Sequence, residues 1–392
     1  MSERGGEQQL PPSDPAARRQ SERLQRLIAA EADAAGGCLS FARYMELALY
    51  APGLGYYSAG AVKFGAAGDF VTAPEISPLF GRCLANQVAQ VLTQLGDGDV
   101  LEVGAGSGLM VGDLLEALAA ANCLPRRYLI LERSAALRAR QQALLEARLP
   151  GLCERVVWLT RLPERLIGVV IANELLDALP VHIFTLTTTG AAERYVARRE
   201  GRWQWREGPV TDPALAQRVA ALQQEAPLPI GYTSEIGLAA EAWIRSVGEC
   251  MAAGLVLLID YGFPRREYYH PQRSGGTLMC HYRHRAHPDP LILTGLQDIT
   301  SHVDFSAMAE AGRDVGLDVA GYTTQGAFLL ATGIAELLDD AADEPMRLRW
   351  SQQVKKLTLP HEMGELFKVL ALSRAIHQPL MGFAWRDLRS RL

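Results

Sequence analysis

The 392-residue sequence lacks several features that mark common classes of protein. It contains no Cys-x-x-Cys pair, and its six scattered cysteines favour free thiols over a zinc site or a disulfide framework. No apolar stretch reaches the roughly 20 residues that a membrane-spanning helix needs. Residues 1–20 also lack the apolar centre of a signal peptide. These absences predict a cytoplasmic protein without membrane insertion.

The sequence also lacks a long run of basic residues, and its formal net charge is -5. Because a protein that binds a phosphate backbone usually presents a concentrated basic face, the charge pattern argues against a nucleic-acid partner. Hydrophobic residues make up 48% of the chain, which predicts a sizeable buried core. The mild acidity is compatible with an acidic pocket for a cationic substrate.

Short apolar runs alternate with helical patterns in the central part of the chain. The strand candidates are residues 100–103, 128–131, 156–159, 169–172 and 255–259. Continuous apolar strands separated by amphipathic helices predict an α/β fold, with a parallel sheet covered by helices on both faces. We expect a disordered tail over residues 1–20, a helical and loop segment over 21–99, the core over 100–180, an inserted α+β subdomain over 181–253, and completion of the sheet over 254–392.

A glycine-rich turn follows the first of these strands. Gly104, Gly106 and Gly108 lie between the strand and a predicted helix, where backbone can approach a ligand closely and the helix N-terminus offers free N–H groups. A dinucleotide site needs a third glycine or an alanine at the sixth position, where this chain has Leu109. The tighter glycine pattern with an acid in the strand, here Glu102, is typical of S-adenosylmethionine sites. Glu102 would lie near the methionine end of that cofactor.

Glu132 ends the next strand, at a position where a carboxylate can accept hydrogen bonds from both ribose hydroxyls of a bound nucleoside. A structural alternative is that Glu132 caps the helix that starts near Ser134. Combined with the glycine turn, the functional interpretation is the stronger one.

Longer motifs flank the glycine turn on both sides. They are FARYM (41–45), LYAPGLGYY (49–57), GDFVTAPEIS (68–77), LFG (79–81), NELLDALPV (173–181), DYG (260–262), GLQDITSHVDF (295–305) and MGELFKV (363–369). This succession resembles the MidA-like family over residues 41 to 373 or so. The resemblance implies a class I (Rossmann-like) methyltransferase fold with an added subdomain. The mitochondrial members of that family are complex I assembly factors that methylate an arginine.

An arginine acceptor sets requirements that candidate residues can meet. Its guanidinium is essentially always protonated, so a carboxylate must hold it in a fork and direct a nitrogen at the methyl group. Glu174 and Asp177 follow the fourth strand at the carboxyl edge of the sheet, where ligands bind in open α/β folds. They are the predicted catalytic residues, and Asn173 is predicted to contact the cofactor. The alternative is that both acids are ordinary helix acids.

Several further polar residues are candidates for the site, although their sequence context is less specific for a function. We expect Asp69 and Thr72 to contact the cofactor and Glu75 to begin a helix. Glu235 could reach the substrate or lie on the surface, whereas Asp260 is expected to support a turn.

The histidines His281, His284 and His287 have a spacing that would place them on one helical face. The neighbouring arginines and prolines oppose both a helix and a bound cation, so no metal site is predicted. A loop over residues 263–298 or so that gates the substrate suits this composition better.

The predicted function is therefore S-adenosylmethionine-dependent methylation, with a protein arginine as acceptor. The protein partner would be a substrate presenting an arginine, for example a respiratory-complex subunit, and a homodimer is left open. The alternatives are a methyltransferase for a small molecule or another residue type, and a chaperone-like assembly factor that retains the fold.

Overall fold

The computed structural model describes residues 10–59, 71–225 and 227–392. Its N-terminal part contains α1 (Pro15–Ala34), β1 (Cys38–Ser40), α2 (Phe41–Tyr50), α3 (Ala73–Ile76) and α4 (Pro78–Leu95). Helix α1 begins earlier than predicted because the Asp14 side chain accepts a hydrogen bond from the Ala17 N–H and a proline occupies the first turn. The expected disordered tail is therefore wrong for residues 15–20. The predicted cofactor contact Asp69 lies outside the described residues.

Alternating strands and helices follow in the order that the apolar runs predict. The first half of the core consists of β2 (Asp99–Val103), α5 (Leu109–Ala120), β3 (Tyr128–Leu131), α6 (Ala135–Arg148), β4 (Val156–Leu159) and β5 (Leu166–Asn173). The insertion consists of β6 (His182–Thr187), β7 (Gly190–Arg199), β8 (Arg202–Pro209), α7 (Pro213–Glu225), β9 (Thr233–Ile236) and α8 (Leu238–Cys250).

The chain then returns to the core sheet and completes it. These elements are β10 (Met251–Phe263), α9 (Arg265–Tyr268), β11 (Met279–Tyr282), β12 (Arg285–His287), β13 (Asp298–Thr300), β14 (Val303–Asp304), α10 (Phe305–Asp314), β15 (Asp318–Thr324), α11 (Gln325–Ala331), α12 (Glu344–Thr358) and β16 (Phe367–Arg374).

The central sheet has the strand order β15-β16-β10-β5-β2-β3-β4, with β14 paired to β10. The five strands from β10 to β4 run parallel. Strand β16 is antiparallel to both of its neighbours, β10 and β15, so β15 runs in the same direction as the five. Consecutive strand residues point to opposite faces, so that Val100 and Leu101 belong to different buried clusters. Helices α4 and α5 cover one face, and α8 and α10 cover the other. The predicted class I methyltransferase fold is confirmed.

Strand register brings three strand ends to one edge of the sheet. Val103 at the end of β2 pairs with Ala172 of β5, and Asn173 pairs with Ile259 of β10. The glycine turn, the segment that begins at Glu174 and the segment around Asp260 therefore leave the sheet side by side.

The insertion forms the antiparallel sheet that its alternating pattern predicts, in the order β1-β7-β6-β9 with β8 paired to β7. Strand β1 adds an N-terminal strand to this sheet that the sequence pattern did not indicate. Trp203 and Trp205 pack against α2, with ring centroids 5.8 Å from Tyr44 and 5.1 Å from Phe41 respectively. They cover one face of this sheet.

Residues 263–298 are more regular than the predicted loop. Strands β12, β11 and β13 form a small antiparallel sheet in that order. Cys280 and Tyr282 of β11 are buried while their neighbours are more exposed, so a period-two pattern exists here that the many charged residues obscured. His281 and His287 lie on strands, and the helical face that would align the histidines does not form. No helix within the described ranges has the length and apolar character needed to cross a membrane.

Candidate functional site

A cavity of about 1280 Å³ opens at the sheet edge where β2, β5 and β10 end. Its wall includes most of the residues that the sequence singled out: Thr72, Glu75, Glu102, Gly104, Gly106, Glu132, Asn173, Glu174 and Asp177. Ligand cavities usually measure about 300 to 1,000 Å³, so this one has room for more than a single cofactor. We call the part beside the glycine turn the donor end, and the part beside Glu174, Asp177 and Tyr261 the acceptor end.

The glycine turn has the backbone conformation that its sequence predicts. The φ angles of Gly104, Gly106 and Gly108 are 72°, 53° and 85°, a region that residues with a side chain rarely adopt. Gly104 and Gly106 border the cavity, whereas Gly108 does not. A Cβ on Gly108 would lie 3.2 Å from the Gln141 Cγ, so this glycine admits a neighbouring side chain. The first two glycines therefore form a cradle that a ligand can approach closely.

Glu102 is buried at the base of the donor end and borders the cavity. The Tyr128 hydroxyl donates a hydrogen bond to its carboxylate. Burial raises the pKa of Glu102 to about 7, although the bond from Tyr128 acts in the opposite direction. A ligand ammonium group placed beside Glu102 would favour its ionised form and so lower this pKa again.

Glu132 borders the cavity beyond the glycine turn and is buried. Its Oε1 accepts a hydrogen bond from the Ser134 N–H at 2.8 Å, and burial raises its pKa. The cap of α6 is Ser134, whose hydroxyl accepts from the Leu137 N–H. Glu132 is therefore not the helix cap, and it is available to the cavity that it borders.

Gln141 is a donor-end residue that sequence reasoning missed. It is fully buried, and its Nε2 lies 3.0 Å from the Gly106 carbonyl oxygen and 3.5 Å from Glu132 Oε2. The sequence feature that could have identified it is its position between Leu137 and Leu145, as the one polar residue in the buried stripe of α6. A polar residue in such a stripe needs internal hydrogen-bond partners.

Thr72 and Glu75 reach the donor end from the N-terminal segment. Thr72 is the N-cap residue of α3 and Glu75 lies in its first turn, as predicted. The Ser107 hydroxyl donates a hydrogen bond to Glu75, which ties α3 to the glycine turn.

Glu174 begins the acceptor end in an unusual backbone conformation. Its φ angle is 49°, and its Oε1 accepts hydrogen bonds from the Ala73 N–H and from the Asn173 amide, both at 3.2 Å. Left-handed backbone at a non-glycine residue is strained and concentrates at functional sites. Burial, reinforced by the nearby Asp177, raises the pKa of Glu174 to about 8. The Asn173 Oδ1 is buried and has no hydrogen-bond partner among the described residues.

Asp177 and Asp260 lie beside Glu174. The Tyr261 hydroxyl donates to one oxygen of Asp177, and the other oxygen is buried with no partner in the part of the chain that the structure describes. Asp260 accepts hydrogen bonds from the Leu176 and Asp177 N–H groups, at 2.9 and 3.3 Å, so it supports the turn as expected. Burial raises the pKa of both aspartates, and in Asp260 the charges of Asp177 and Glu174 add to the effect.

These three carboxyl groups have no cationic partner. Among the described residues, no lysine, arginine or histidine forms an ion pair with Glu174, Asp177 or Asp260. Buried carboxylates are normally paired because leaving water is costly for a charge. The acceptor end therefore has the electrostatic character of a cation-binding site.

Tyrosines form another wall of the acceptor end, and sequence reasoning assigned them no role. The rings of Tyr50 and Tyr57 stack with centroids 5.5 Å apart. The Tyr57 hydroxyl donates to Asp298 Oδ1 at 2.9 Å, and that of Tyr50 donates to the Ala178 carbonyl oxygen at 2.9 Å. Both tyrosines belong to the LYAPGLGYY motif, but their hydrogen-bond partners lie more than a hundred residues further along the chain.

Glu235 is neither on the surface nor in the cavity wall. It is 2% exposed, and its carboxylate accepts hydrogen bonds from the Thr277 and Leu278 N–H groups and from the Tyr268 hydroxyl. Both alternatives expected from the sequence are therefore wrong. Through these hydrogen bonds Glu235 holds Thr277 and Leu278, which do line the cavity.

Comparisons with known proteins agree with this geometry. A family model of S-adenosyl-L-methionine-dependent methyltransferases matches residues 83–323, more than half of the chain. A crystal structure of a Burkholderia thailandensis protein bound to S-adenosyl-homocysteine is 47% identical with a TM-score of 0.93, covering 98% of this chain and 100% of that one. A native crystal structure from the same organism, also 47% identical, has a TM-score of 0.91 and the same coverage.

Curated relatives match over most of their length. The mitochondrial protein arginine methyltransferase NDUFAF7 of Danio rerio is 27% identical over 366 residues, which cover 86% of this chain and 84% of that protein. The human protein of the same name is 27% identical over 383 residues, covering 88% and 82% respectively.

The expected cytoplasmic location is wrong by this comparison, because the curated relatives are mitochondrial proteins. Scattered free cysteines indicate only that the fold needs no disulfide. They do not distinguish one compartment from another.

The family match and the related structure confirm the resemblance to the MidA-like family, the enzymatic activity and the cofactor. The protein is a methyltransferase that uses S-adenosylmethionine. The chain belongs to the family of S-adenosyl-L-methionine-dependent methyltransferases.

Proposed function

We propose that this enzyme transfers the methyl group to an arginine side chain of a protein substrate. The observation that carries the proposal is the cluster of Glu174, Asp177 and Asp260, which forms no ion pair with a cation of the described residues. Glu174 and Asp177 line a cavity that is continuous with the donor end. The relatives named as protein arginine methyltransferases support the same acceptor.

At the donor end, the backbone of Gly104 and Gly106 would receive the cofactor, with Glu102 near its methionine end and Glu132 at its ribose. The positive φ angles of both glycines and their place on the cavity wall support this assignment. Thr72 borders the same region, and the unpartnered Asn173 Oδ1 would accept a hydrogen bond from the cofactor. The cofactor supplies a methyl group on a positively charged sulfur.

At the acceptor end, Glu174 would hold the guanidinium and direct one nitrogen towards the donor end. A forked pair of hydrogen bonds suits this task because it fixes orientation as well as position. Asp177, whose free oxygen lies beside it, would take a second guanidinium nitrogen. Binding a cation would lower the raised pKa values of these groups and so restore their ionised form.

The tyrosine wall would orient the planar cation and limit water. Guanidinium groups stack favourably on aromatic faces, and Tyr50 and Tyr57 are held in place by the hydrogen bonds of their hydroxyl groups. Water that enters this region would compete with the substrate for Glu174, so a closed aromatic wall favours transfer.

The test compares methylated arginines in the proteomes of the source organism and of a strain that lacks this protein. We expect one or a few arginine marks to disappear and to return when the wild-type protein is restored, but not with Glu174→Gln. Loss of a mark on another residue type, or on a small molecule only, would contradict the proposed acceptor. Full rescue by Glu174→Gln would contradict the proposed role of that residue.

A further inference from the structure

Gln141 is the polar residue at the centre of an otherwise apolar contact between α6 and the sheet. Its side chain is 0% exposed, and its helix neighbours Leu137 and Leu145 are buried on the same face. A buried amide without hydrogen bonds would cost about 1–3 kcal/mol, so its retention requires that each of its polar atoms finds a partner.

The orientation of this amide is determined by Trp158. The indole Nε1–H of Trp158 donates to Gln141 Oε1 at 2.9 Å. An indole can only donate, so the atom facing it must be the amide oxygen. The amide nitrogen then points the opposite way, towards the cavity wall.

The two hydrogens of that nitrogen have two acceptors on different parts of the donor end. Nε2 donates to the Gly106 carbonyl oxygen at 3.0 Å and lies 3.5 Å from Glu132 Oε2. The other oxygen of Glu132 accepts from the Ser134 N–H. Gln141 therefore connects the glycine turn to the carboxylate at the end of β3.

Because Gly108 has no side chain, it leaves room for Cβ and Cγ of Gln141. A Cβ at residue 108 would lie 3.2 Å from Cγ and 3.4 Å from Cβ of Gln141, closer than most carbon contacts. The third glycine of the turn thus makes room for Gln141, whereas the first two border the cavity.

We propose that Gln141 is a positioning residue that sets the distance between the glycine turn and Glu132, and thereby controls affinity for the ribose of the cofactor. This inference rests on the proposed contact between Glu132 and the ribose. With Gln141 in place, Glu132 is held in one rotamer before the ligand arrives, so binding does not have to order it.

The test is calorimetric titration of the full chain with S-adenosylhomocysteine and with its 2′,3′-dideoxyribose analogue. We expect Gln141→Leu to bind S-adenosylhomocysteine about tenfold more weakly than the wild type, as loss of a hydrogen bond to a charged group predicts. For the dideoxy analogue the two proteins should differ by less than about twofold, because the contact that Gln141 positions is absent. If the role of Gln141 were purely structural, Gln141→Leu would bind both ligands more weakly by the same factor.

A matched control is Gln142→Leu, because Gln142 is the exposed neighbour and bonds only Glu146 on the same helix. It should bind both ligands as the wild type does. If Gln141→Leu does not fold, Trp158→Phe is the second variant, because it keeps the Gln141 amide but removes the hydrogen bond that orients it. This variant should bind S-adenosylhomocysteine about threefold more weakly and the analogue with unchanged affinity.

The outcomes separate the two proposals. A wild type that binds S-adenosylhomocysteine and the dideoxy analogue equally would overturn the assignment of Glu132 to the ribose. A wild type that distinguishes the two ligands, together with Gln141 and Trp158 variants of unchanged affinity, would overturn the role of Gln141 alone.

Discussion

The two ends of the cavity are assembled in different ways. Most of the donor end comes from one stretch of chain, from Glu102 through the glycine turn to Glu132, with Gln141 bonded to the turn from behind and Glu75 added from the N-terminal segment. The acceptor end combines Tyr50 and Tyr57 with Asp177, Tyr261 and Asp298, and these residues span most of the sequence. A contiguous unit of two strands and two helices can be recognised from local patterns, whereas the other end depends on long-range packing.

The two ends also differ in how their carboxyl groups are arranged. At the donor end, Glu102 and Glu132 each accept hydrogen bonds from their own neighbours, and burial is the main cause that raises their pKa. At the acceptor end, Glu174, Asp177 and Asp260 lie together, so that the charge of one raises the pKa of another. Separate carboxyl groups suit hydrogen-bond donors such as ribose hydroxyls, whereas a cluster of carboxyl groups is stabilised in its ionised form by a bound cation. We therefore expect substitutions at the donor end to change cofactor affinity, and substitutions at the acceptor end to change methyl transfer.

The largest effect is expected from Gly106→Val at the donor end. The φ angle of 53° is strained for valine, and the side chain would enter the cavity, so S-adenosylhomocysteine should bind roughly a hundredfold more weakly or not at all. Calorimetric titration measures this effect. Gly96→Val is the control, because Gly96 also has a positive φ but ends α4 in open space. Equal loss in both variants would show that strain rather than the cavity is responsible.

At the acceptor end, Glu174→Gln should reduce methyl transfer roughly a hundredfold while leaving the affinity for S-adenosylhomocysteine unchanged. The amide keeps the shape of the side chain but loses the charge that holds the guanidinium. Transfer is measured from tritiated S-adenosylmethionine into protein extract of the deletion strain, followed by analysis of methylarginine. Glu164→Gln, at an exposed residue, should behave as the wild type. Parallel losses of transfer and cofactor affinity would remove the distinction between the two ends.

The raised pKa of Glu174 at the acceptor end also predicts how the stability of the folded protein depends on pH. The pKa of Glu174 is raised to about 8 in the folded protein, so the folded state retains a proton that the unfolded chain releases near its ordinary pKa. Stability of the ligand-free protein should therefore fall as pH rises from about 4.5 towards 8. We expect a decrease in melting temperature of roughly 2 °C or more, measured by thermal unfolding. Glu174→Gln should flatten this slope, and an unchanged slope would place the responsible group elsewhere.

The smallest effect is expected from Tyr57→Phe. The ring stack with Tyr50 remains, but the hydrogen bond to Asp298 is lost, so methyl transfer should fall about threefold with no change in cofactor affinity. Transfer and titration are measured as above. Tyr322→Phe is the control because the buried Tyr322 hydroxyl has no hydrogen-bond partner within the described ranges. A loss of cofactor affinity in Tyr57→Phe would mean that the tyrosine wall also serves the donor end.

Most of the core could be predicted from the sequence because its signals are local. Strands β3 and β4 have the predicted bounds, since a continuous apolar run lies within each strand. Asp260 was also predicted correctly as a turn support. The small sheet of β11 to β13 was missed, because its charged residues conceal an alternation of only a few positions.

The sequence by itself determined the α/β order, the glycine turn with its two neighbouring acids, and the family. Each depends on residues that are close in the chain, where conformational preference and hydrophobic period act directly. Only the tertiary structure decided which side chains meet at the acceptor end, that Glu235 is buried, and that Gln141 joins the turn to Glu132. Those contacts arise when the strands align at one edge of the sheet, and no local pattern encodes the register between distant segments.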